Sequence, residues 1–437
     1  MESSDVQVVE TCLVNPSEET PREQLWLSNL DLLQVNKGHT PIVYLYRSDG
    51  GGGDFFDVAR LKRSLAAALV DFYPLAGRLS VGGDGRRFAI DCNAEGALLT
   101  VAHSEVTVDE ISDLRPSPEL KRLFVPRVEP SSILLGIQVT FLKCGGVALG
   151  TAMHHAAGDA ISAFHFFQTW SDLCRELSSG AVHVQQQAAV ELPCHDRTLL
   201  SARSPPAVSP DAFAVFCPEL TLTQPPGPVA SEVFAVSKDH LAALKRACGG
   251  ASTFCAVSAH VWRCLCVARA LPADATIRLT LPASVRRSIA PPLPERYFGN
   301  TIIWLGAAAA VGEVTSEALA ATAGRIRGAV RRMDDEVVRS AIDYFEIADM
   351  DRCQPAPGGS LPETELRVIS WLGMPVYDAD YGWGKPHLML RAESERSGLV
   401  YLMNDGGGGV RVVACAEAAC LEEFQRLLYA GSSHECM

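Results

Sequence analysis

The chain has 437 residues, 48% hydrophobic and 20% charged, which is globular composition, excludes a largely disordered protein and allows two ordinary domains or one large one. The net charge of -13, from 38 basic and 51 acidic residues, excludes a general nucleic-acid binder, which needs clustered Lys and Arg. No apolar run reaches the length of a membrane span, and the opening MESSDVQVVE has neither a basic n-region nor an apolar h-region. The 14 cysteines are scattered, with no C-x-x-C, as expected of free thiols in a cytoplasmic protein.

In chain order, residues 50–53 are a glycine run expected at a hairpin tip. Asp57 to Asp71 reads as a helix: Val58, Leu61, Leu65, Ala68 and Leu69 share one face, Asp57 is placed to cap it, and Tyr73-Pro74 stops it. Two apolar strands, 133–142 and 147–154, are joined by the hairpin signal Cys144-Gly145-Gly146. A helix follows from Ala160, with Ile161, Phe164, Phe167, Trp170 and Cys174 at helical spacing. The Pro-rich stretch 203–228 can be neither helix nor central strand, so 185–228 reads as a crossover linker. Beyond it, a helix is expected at 316–334, strands at 276–282, 300–307, 366–371, 397–403 and 410–415, and a final helix at 420–429. The Gly-rich segment 405–409 reads as a hairpin turn rather than a phosphate loop. The expected organisation is an N-terminal domain (1–184), the linker (185–228) and a C-terminal domain (229–437). Without a regular βαβ rhythm, the fold class is α/β with mixed sheets flanked by helices.

Chemistry concentrates in Met153-His154-His155-Ala156-Ala157-Gly158-Asp159, where a strand gives way to a helix. A histidine held at such a junction can take a proton near neutral pH. By itself the H-x-x-x-D spacing is weak, and a buried, hydrogen-bonded histidine is the commoner explanation. Adjacent histidines on a strand point to opposite faces, which makes joint metal ligation by His154 and His155 awkward, and no metal site is expected. No G-x-S-x-G or G-x-x-x-x-G-K-[ST] occurs. The second feature is Tyr377-Asp378-Ala379-Asp380-Tyr381-Gly382-Trp383-Gly384-Lys385-Pro386, two glycines around a tryptophan.

Together these segments resemble the plant BAHD acyltransferase family, whose signatures are H-x-x-x-D-G and D-F-G-W-G. The likeness spans nearly the whole chain. It includes His39-Thr40-Pro41 with Tyr44, Tyr73-Pro74-Leu75-Ala76-Gly77-Arg78-Leu79, Asp196-Arg197-Thr198-Leu199-Leu200, His260-Val261-Trp262-Arg263, Tyr297-Phe298-Gly299-Asn300 and Ser340-Ala341-Ile342-Asp343-Tyr344. Within the family it is nearest the hydroxycinnamoyl transferases acting on shikimate, quinate or polyamines. Three departures stand out: Ala160 follows Asp159 where the family has glycine, Tyr381 replaces phenylalanine, and Gly373 replaces the arginine of Thr-Ser-Trp-x-Arg-x-Pro in Ile369-Ser370-Trp371-Leu372-Gly373-Met374-Pro375.

The resemblance implies two similar-sized domains of the chloramphenicol-acetyltransferase type enclosing a tunnel, acyl-CoA as co-substrate with no permanently bound cofactor, and a monomer with no nucleic-acid or membrane partner. It casts His155 as general base and Asp159 as its scaffold. Register selects His155 over His154, because Phe164-His165-Phe166 and Trp170 then fall at the family's spacing. It also implies substrate contacts from His39, Thr40, Tyr44, Trp371, Gly373 and Trp383. Coenzyme A contacts would come from Lys245, Ser252, Thr253 and Ser370. A structural set comprises Arg286, paired with Asp380, and Gly382 and Gly384. Without the arginine at 373, a carboxylate acceptor would lose its partner, which shifts weight from shikimate or quinate towards polyamines, agmatine or arylamines. O-acylation of an alcohol is the alternative, and a non-catalytic binding protein on the same scaffold is the rival of another class.

Overall fold

The structure is a computed structural model and describes residues 6–48, 55–83, 87–112, 114–178, 192–217, 221–348, 359–394 and 396–430. The glycine run at 50–53 and the first part of the expected linker lie outside them. The chain divides into two compact units that exchange segments. One comprises 1–201, 294–300 and 374–393; the other comprises 202–293, 301–373 and 394–437.

The first unit is built on a six-stranded mixed sheet in the order Gln7–Val14, Ala97–Ser104, Leu135–Leu142, Val147–His154, His39–Tyr46, Leu388–Arg391. Alternation along each strand gives the sheet two buried faces. On one, Leu120, Leu123 and Phe124 of the short helix Pro118–Phe124 meet Val43, Leu45, Ala148, Ala152 and Leu390. On the other lie Tyr44 and the helix Ala160–Ser178, whose Phe167 ring is 6.2 Å from that of Tyr44. That helix packs along the helix Val58–Asp71, where Asp57 caps the N-terminus by accepting from the Arg60 N–H at 3.0 Å. Trp170 Nε1 ties the two helices by donating to Ser64 Oγ at 3.0 Å.

The last strand, Leu388–Arg391, corrects the expected boundary. Its pairing with His39–Tyr46 carries 374–393, with the tryptophan loop, into the first unit although sequence order places it in the second half.

The second unit has another six-stranded mixed sheet, in the order Ile302–Ala310, Thr276–Ser284, Glu365–Ser370, Leu399–Asn404, Val410–Glu417, Val229–Val236. The expected strands are all present, each within a few residues. The helix expected at 316–334 is Leu319–Arg331, within three residues at each end, and a separate short helix, Val311–Ser316, precedes it across a break where Glu317 and Ala318 adopt extended backbone. The turn at 405–409 is closed by Asp405, whose Oδ1 accepts the Gly407 and Gly409 N–H groups at 2.8 Å each.

Candidate active site

His155 begins a 3₁₀ turn, His155–Ala157, where the strand Val147–His154 ends. Several backbone groups around it have partners outside the turn. The His155 N–H donates to Gly38 O at 2.8 Å, extending the register that pairs His154 with His39. The Ala156 N–H donates to His154 Nδ1 at 3.2 Å. The next three carbonyls are held by buried side chains: His155 O accepts from Asn300 Nδ2 at 2.9 Å, Ala156 O from Arg197 Nη1 at 3.3 Å, and Ala157 O from Arg197 Nη2 at 2.8 Å.

Those donors share one anchor. Asp31 is fully buried, and its Oδ1 accepts from Arg197 Nη1 at 2.8 Å, from the Asn300 N–H at 2.8 Å and from Asn300 Nδ2 at 2.9 Å. Its Oδ2 takes the Ser28 N–H and hydroxyl, completing the capping box of the short helix Asn29–Leu32. Arg197, only 1% exposed, thus has its charge balanced by Asp31 while its fork grips the turn.

Asp159 caps the helix Ala160–Ser178: its Oδ1 accepts the Ser162 N–H at 3.1 Å and its carbonyl the Ala163 N–H at 2.9 Å. Ser162 Oγ donates to Gly299 O at 3.0 Å and lies 3.1 Å from the Gly299 N–H that donates to it. Gly158 is required by this close packing, since a Cβ there would lie 2.8 Å from Ser162 Cβ.

Burial, with the Lys37 charge and then Arg391 adding to it, pulls the His155 imidazole down to about 4, against the opposing pull of its own backbone and Asp159. The ring is therefore neutral at pH 7 and able to accept a proton. His154 is pulled lower still, to about 3, by burial and by its histidine neighbours. Its Nδ1 is spent on the turn, and its ring meets the edge of His39 at 4.9 Å.

The remaining sequence-derived residues fall in both units. In the first, His39 Nε2 bonds Ile133 O at 2.7 Å, Thr40 pairs with Met153, and Tyr44 is buried beneath the helix carrying Phe167. Thr40 and Tyr44 share the sheet face of Met153. Trp383 is an anchor: Phe56 stacks on it at 5.0 Å, and the Arg60 guanidinium lies 3.5 Å from the ring centroid. Asp380 Oδ1 closes the tryptophan loop by accepting the Gly382 and Gly384 N–H groups at 2.8 and 3.0 Å. Both glycines have positive φ, 95° and 94°, so the loop needs them for its backbone path.

In the second unit, Trp371 packs 5.7 Å from Tyr401, and Ser370 Oγ accepts the Leu372 N–H at 3.3 Å. Gly373 has φ 74° with open space around it, so its backbone conformation is itself a reason for glycine. Lys245, Ser252 and Thr253 come together where the helix Lys238–Ala247 turns into the helix Thr253–Ala268; the Gly250 N–H donates to Lys245 O at 2.9 Å, and Ser252 Oγ caps the second helix. Arg286 is buried, with Nη1 on Thr301 Oγ1.

Sequence reasoning missed Asp31 altogether and met Arg197 and Asn300 only as parts of recurring segments. The available signal for Asp31 was Ser28-x-x-Asp31, a capping-box spacing.

Two mixed-sheet units flanked by helices define the chloramphenicol-acetyltransferase-like class. Solved structures share the fold: vinorine synthase, with TM-score 0.74, 23% identity and 96% of each chain covered, and F. graminearum TRI101 complexed with coenzyme A and deoxynivalenol, with TM-score 0.79, 18% identity and 92% of this chain and 96% of that one covered. The model of the Transferase family matches residues 4–430, and the chain belongs to that family, the plant BAHD acyltransferases, enzymes with acyl-CoA as co-substrate. Among curated relatives it is 43% identical to putrescine hydroxycinnamoyltransferase 1 of Oryza sativa subsp. japonica, over 97% of this chain and 98% of the relative. It is 39% identical to hydroxycinnamoyl-CoA:5-hydroxyanthranilate N-hydroxycinnamoyltransferase HHT4 of Avena sativa and 36% identical to shikimate O-hydroxycinnamoyltransferase of Nicotiana tabacum, each over 97% of this chain and 99% of the relative.

Proposed function

We propose that this acyltransferase moves a hydroxycinnamoyl group from its coenzyme A thioester to the nitrogen of a small amine, with His155 as general base. The observation that carries the reading is a neutral imidazole on a turn whose three consecutive carbonyls are each held by a buried side chain. His155 removes the proton of the attacking amine as the new C–N bond forms, giving a tetrahedral oxyanion. The intermediate collapses with C–S cleavage, and the proton leaves with the thiolate as free thiol. No covalent enzyme intermediate is required.

An aliphatic amine has an ordinary pKa near about 10 and must lose a proton before attack. The positive charges of Lys37 and Arg391 that lower the histidine act in the same direction on an amine beside it. Relatives named for putrescine and 5-hydroxyanthranilate support nitrogen as the acceptor atom; the relative named for shikimate supports the second reading, O-acylation. Gly373 offers a carboxylate-bearing alcohol no arginine partner, and its positive φ independently calls for glycine.

The test supplies one hydroxycinnamoyl thioester with spermidine, putrescine, agmatine, tryptamine, an arylamine or shikimate, and follows thiol release and product. Amide formation that is lost in His155→Asn is expected. Shikimate ester with no amide sinks the amine reading, and no thiol release with any acceptor sinks the enzymatic one. The same reading pairs Arg286 with Asp380 and takes the protein as a cytoplasmic monomer. If the pair exists, R286D and D380R each lose activity and the double exchange recovers part of it; scattering in solution gives the monomer's mass.

A further inference from the structure

The sheet of the second unit has two unlike faces. Leu279, Leu281, Leu366, Val368, Val400 and Leu402 are buried on one. The register places Arg278, Thr280, Trp304, Arg367 and Tyr401 on the other. Arg367 is the unusual member. It is only 6% exposed in the middle of a strand, its Nε donates to Thr280 Oγ1 at 3.2 Å, and its guanidinium lies 3.7 Å from the centroid of the Trp304 ring.

Among the described residues that charge is offset only at a distance, by Glu365. Among the described residues no carboxylate lies within ion-pair distance of Arg367. Glu365, two positions earlier on the same face, is bound to Arg278 through Oε1. Burial pulls the Arg367 guanidinium down to about 10, with Arg396 and Arg278 adding like charge against the opposing pull of Glu365. A buried charge normally has a partner at contact distance, because desolvating it alone is costly. Thr280 and Trp304 meanwhile fix the guanidinium plane by one nitrogen and one ring face, which leaves Nη1 and Nη2 without a hydrogen bond to the described residues. Such a fork matches the two oxygens of a carboxylate or phosphate.

We infer that Arg367 is an anion-recognition residue of this acyltransferase, binding the carboxylate of an acidic acceptor or a phosphate of coenzyme A. This rests on the acyl-transfer reading and deepens it. The carboxylate source would make the preferred amine an acidic one, such as an aminobenzoate, and would replace at another position the partner missing at Gly373. Lysine would not substitute fully, since it lacks the planar fork and the stacking on Trp304.

The test is calorimetry on the full chain, wild type, Arg367→Met and Arg367→Lys, with coenzyme A and with the matched pair anthranilate and aniline in the presence of coenzyme A. A carboxylate site predicts that R367M weakens anthranilate by about tenfold or more and aniline hardly at all. A phosphate site predicts the same loss for coenzyme A instead. In either case R367K should recover part of the loss. The melting temperature should hold or rise, because methionine removes a buried charge that has no direct ion pair among the described residues. Unchanged affinity for both anions, or a fall of several degrees in melting temperature with no selective loss, overturns the assignment. Binding does not depend on turnover, so a wild type that binds these anions yet releases no thiol would sink the proposed reaction and leave Arg367's role standing.

Discussion

At His155 the decisive property is that burial keeps the ring neutral. With the imidazole pulled down to about 4, the proposed base is available through the neutral range, and on that proposal kcat/KM should fall only as pH drops towards 4. An acceptor that does not itself titrate there makes the measurement clean; an acid limb near the ordinary 6.5 would contradict the burial argument. The group that positions the ring is Arg197. Arg197→Lys keeps the charge beside Asp31 but cannot hold the carbonyls of Ala156 and Ala157 together. We expect kcat to fall about tenfold or more with KM for the thioester little changed, and added guanidinium to restore part of the activity in Arg197→Ala. An equal loss in every parameter, without rescue, would mean that Arg197 serves only folding. Tyr381 makes the opposite case. Its hydroxyl is buried without a partner among Tyr46, Phe56 and Trp170, so Tyr381→Phe should raise stability by about 1 kcal/mol in a denaturant melt, and a loss of that size would show that the hydroxyl is satisfied in solution.

At the scale of elements, the site depends on a strand, a turn and a helix meeting without slack. The strand Val147–His154 packs so closely under the helix Pro118–Phe124 that a Cβ on Gly150 would stand 1.7 Å from Phe124 O. Gly150→Ala should therefore cost about 3 kcal/mol or more, read from urea unfolding, because the obstacle is backbone and cannot rotate away. A mutant as stable as wild type would mean that the helix can lift from the sheet. Much of this level was legible in the residues. The amphipathic spacing from Val58 to Leu69, the glycine hairpin at 144–146 and the strand-to-helix change at His155 follow from local periodicity, and the structure has them within a few residues. The break at 317–318 was not legible, because Glu317 and Ala318 carry no helix-breaking chemistry; it is set by docking, with Arg263 holding the carbonyls of Val314 and Glu317.

Across the whole molecule, the exchange of segments between the units sets cooperativity. The first unit takes Pro294–Asn300 and Met374–Glu393 from the far half of the chain, and these supply the Asn300 clamp and the edge strand beside His39–Tyr46. A fragment of residues 1–228 should lack a cooperative thermal transition by near-ultraviolet circular dichroism. A sharp melt would show that the first unit folds without them. The same unit buries several neutral histidines, His154 at about 3 and His155 and His195 at about 4, against an ordinary value of 6.5. Their folded values are depressed, so the unfolded state takes up more protons between those limits. Stability is fully present above about pH 6.5 and is lost as pH falls towards 4, at about 1.4 kcal/mol per unit of pH for each such histidine.

By itself the sequence determined the family and the α/β fold class and offered His155 as the candidate base, because motifs and periodicity are local and survive as strings of residues. His155 could be separated from His154 by counting to Phe164 and Trp170. Only the tertiary structure decided what holds His155 in place and where the tryptophan loop belongs. Asp31, Arg197 and Asn300 lie up to 269 positions apart and meet through buried hydrogen bonds. No spacing rule reports such a meeting, since the burial that makes those bonds strong exists only once the chain has folded.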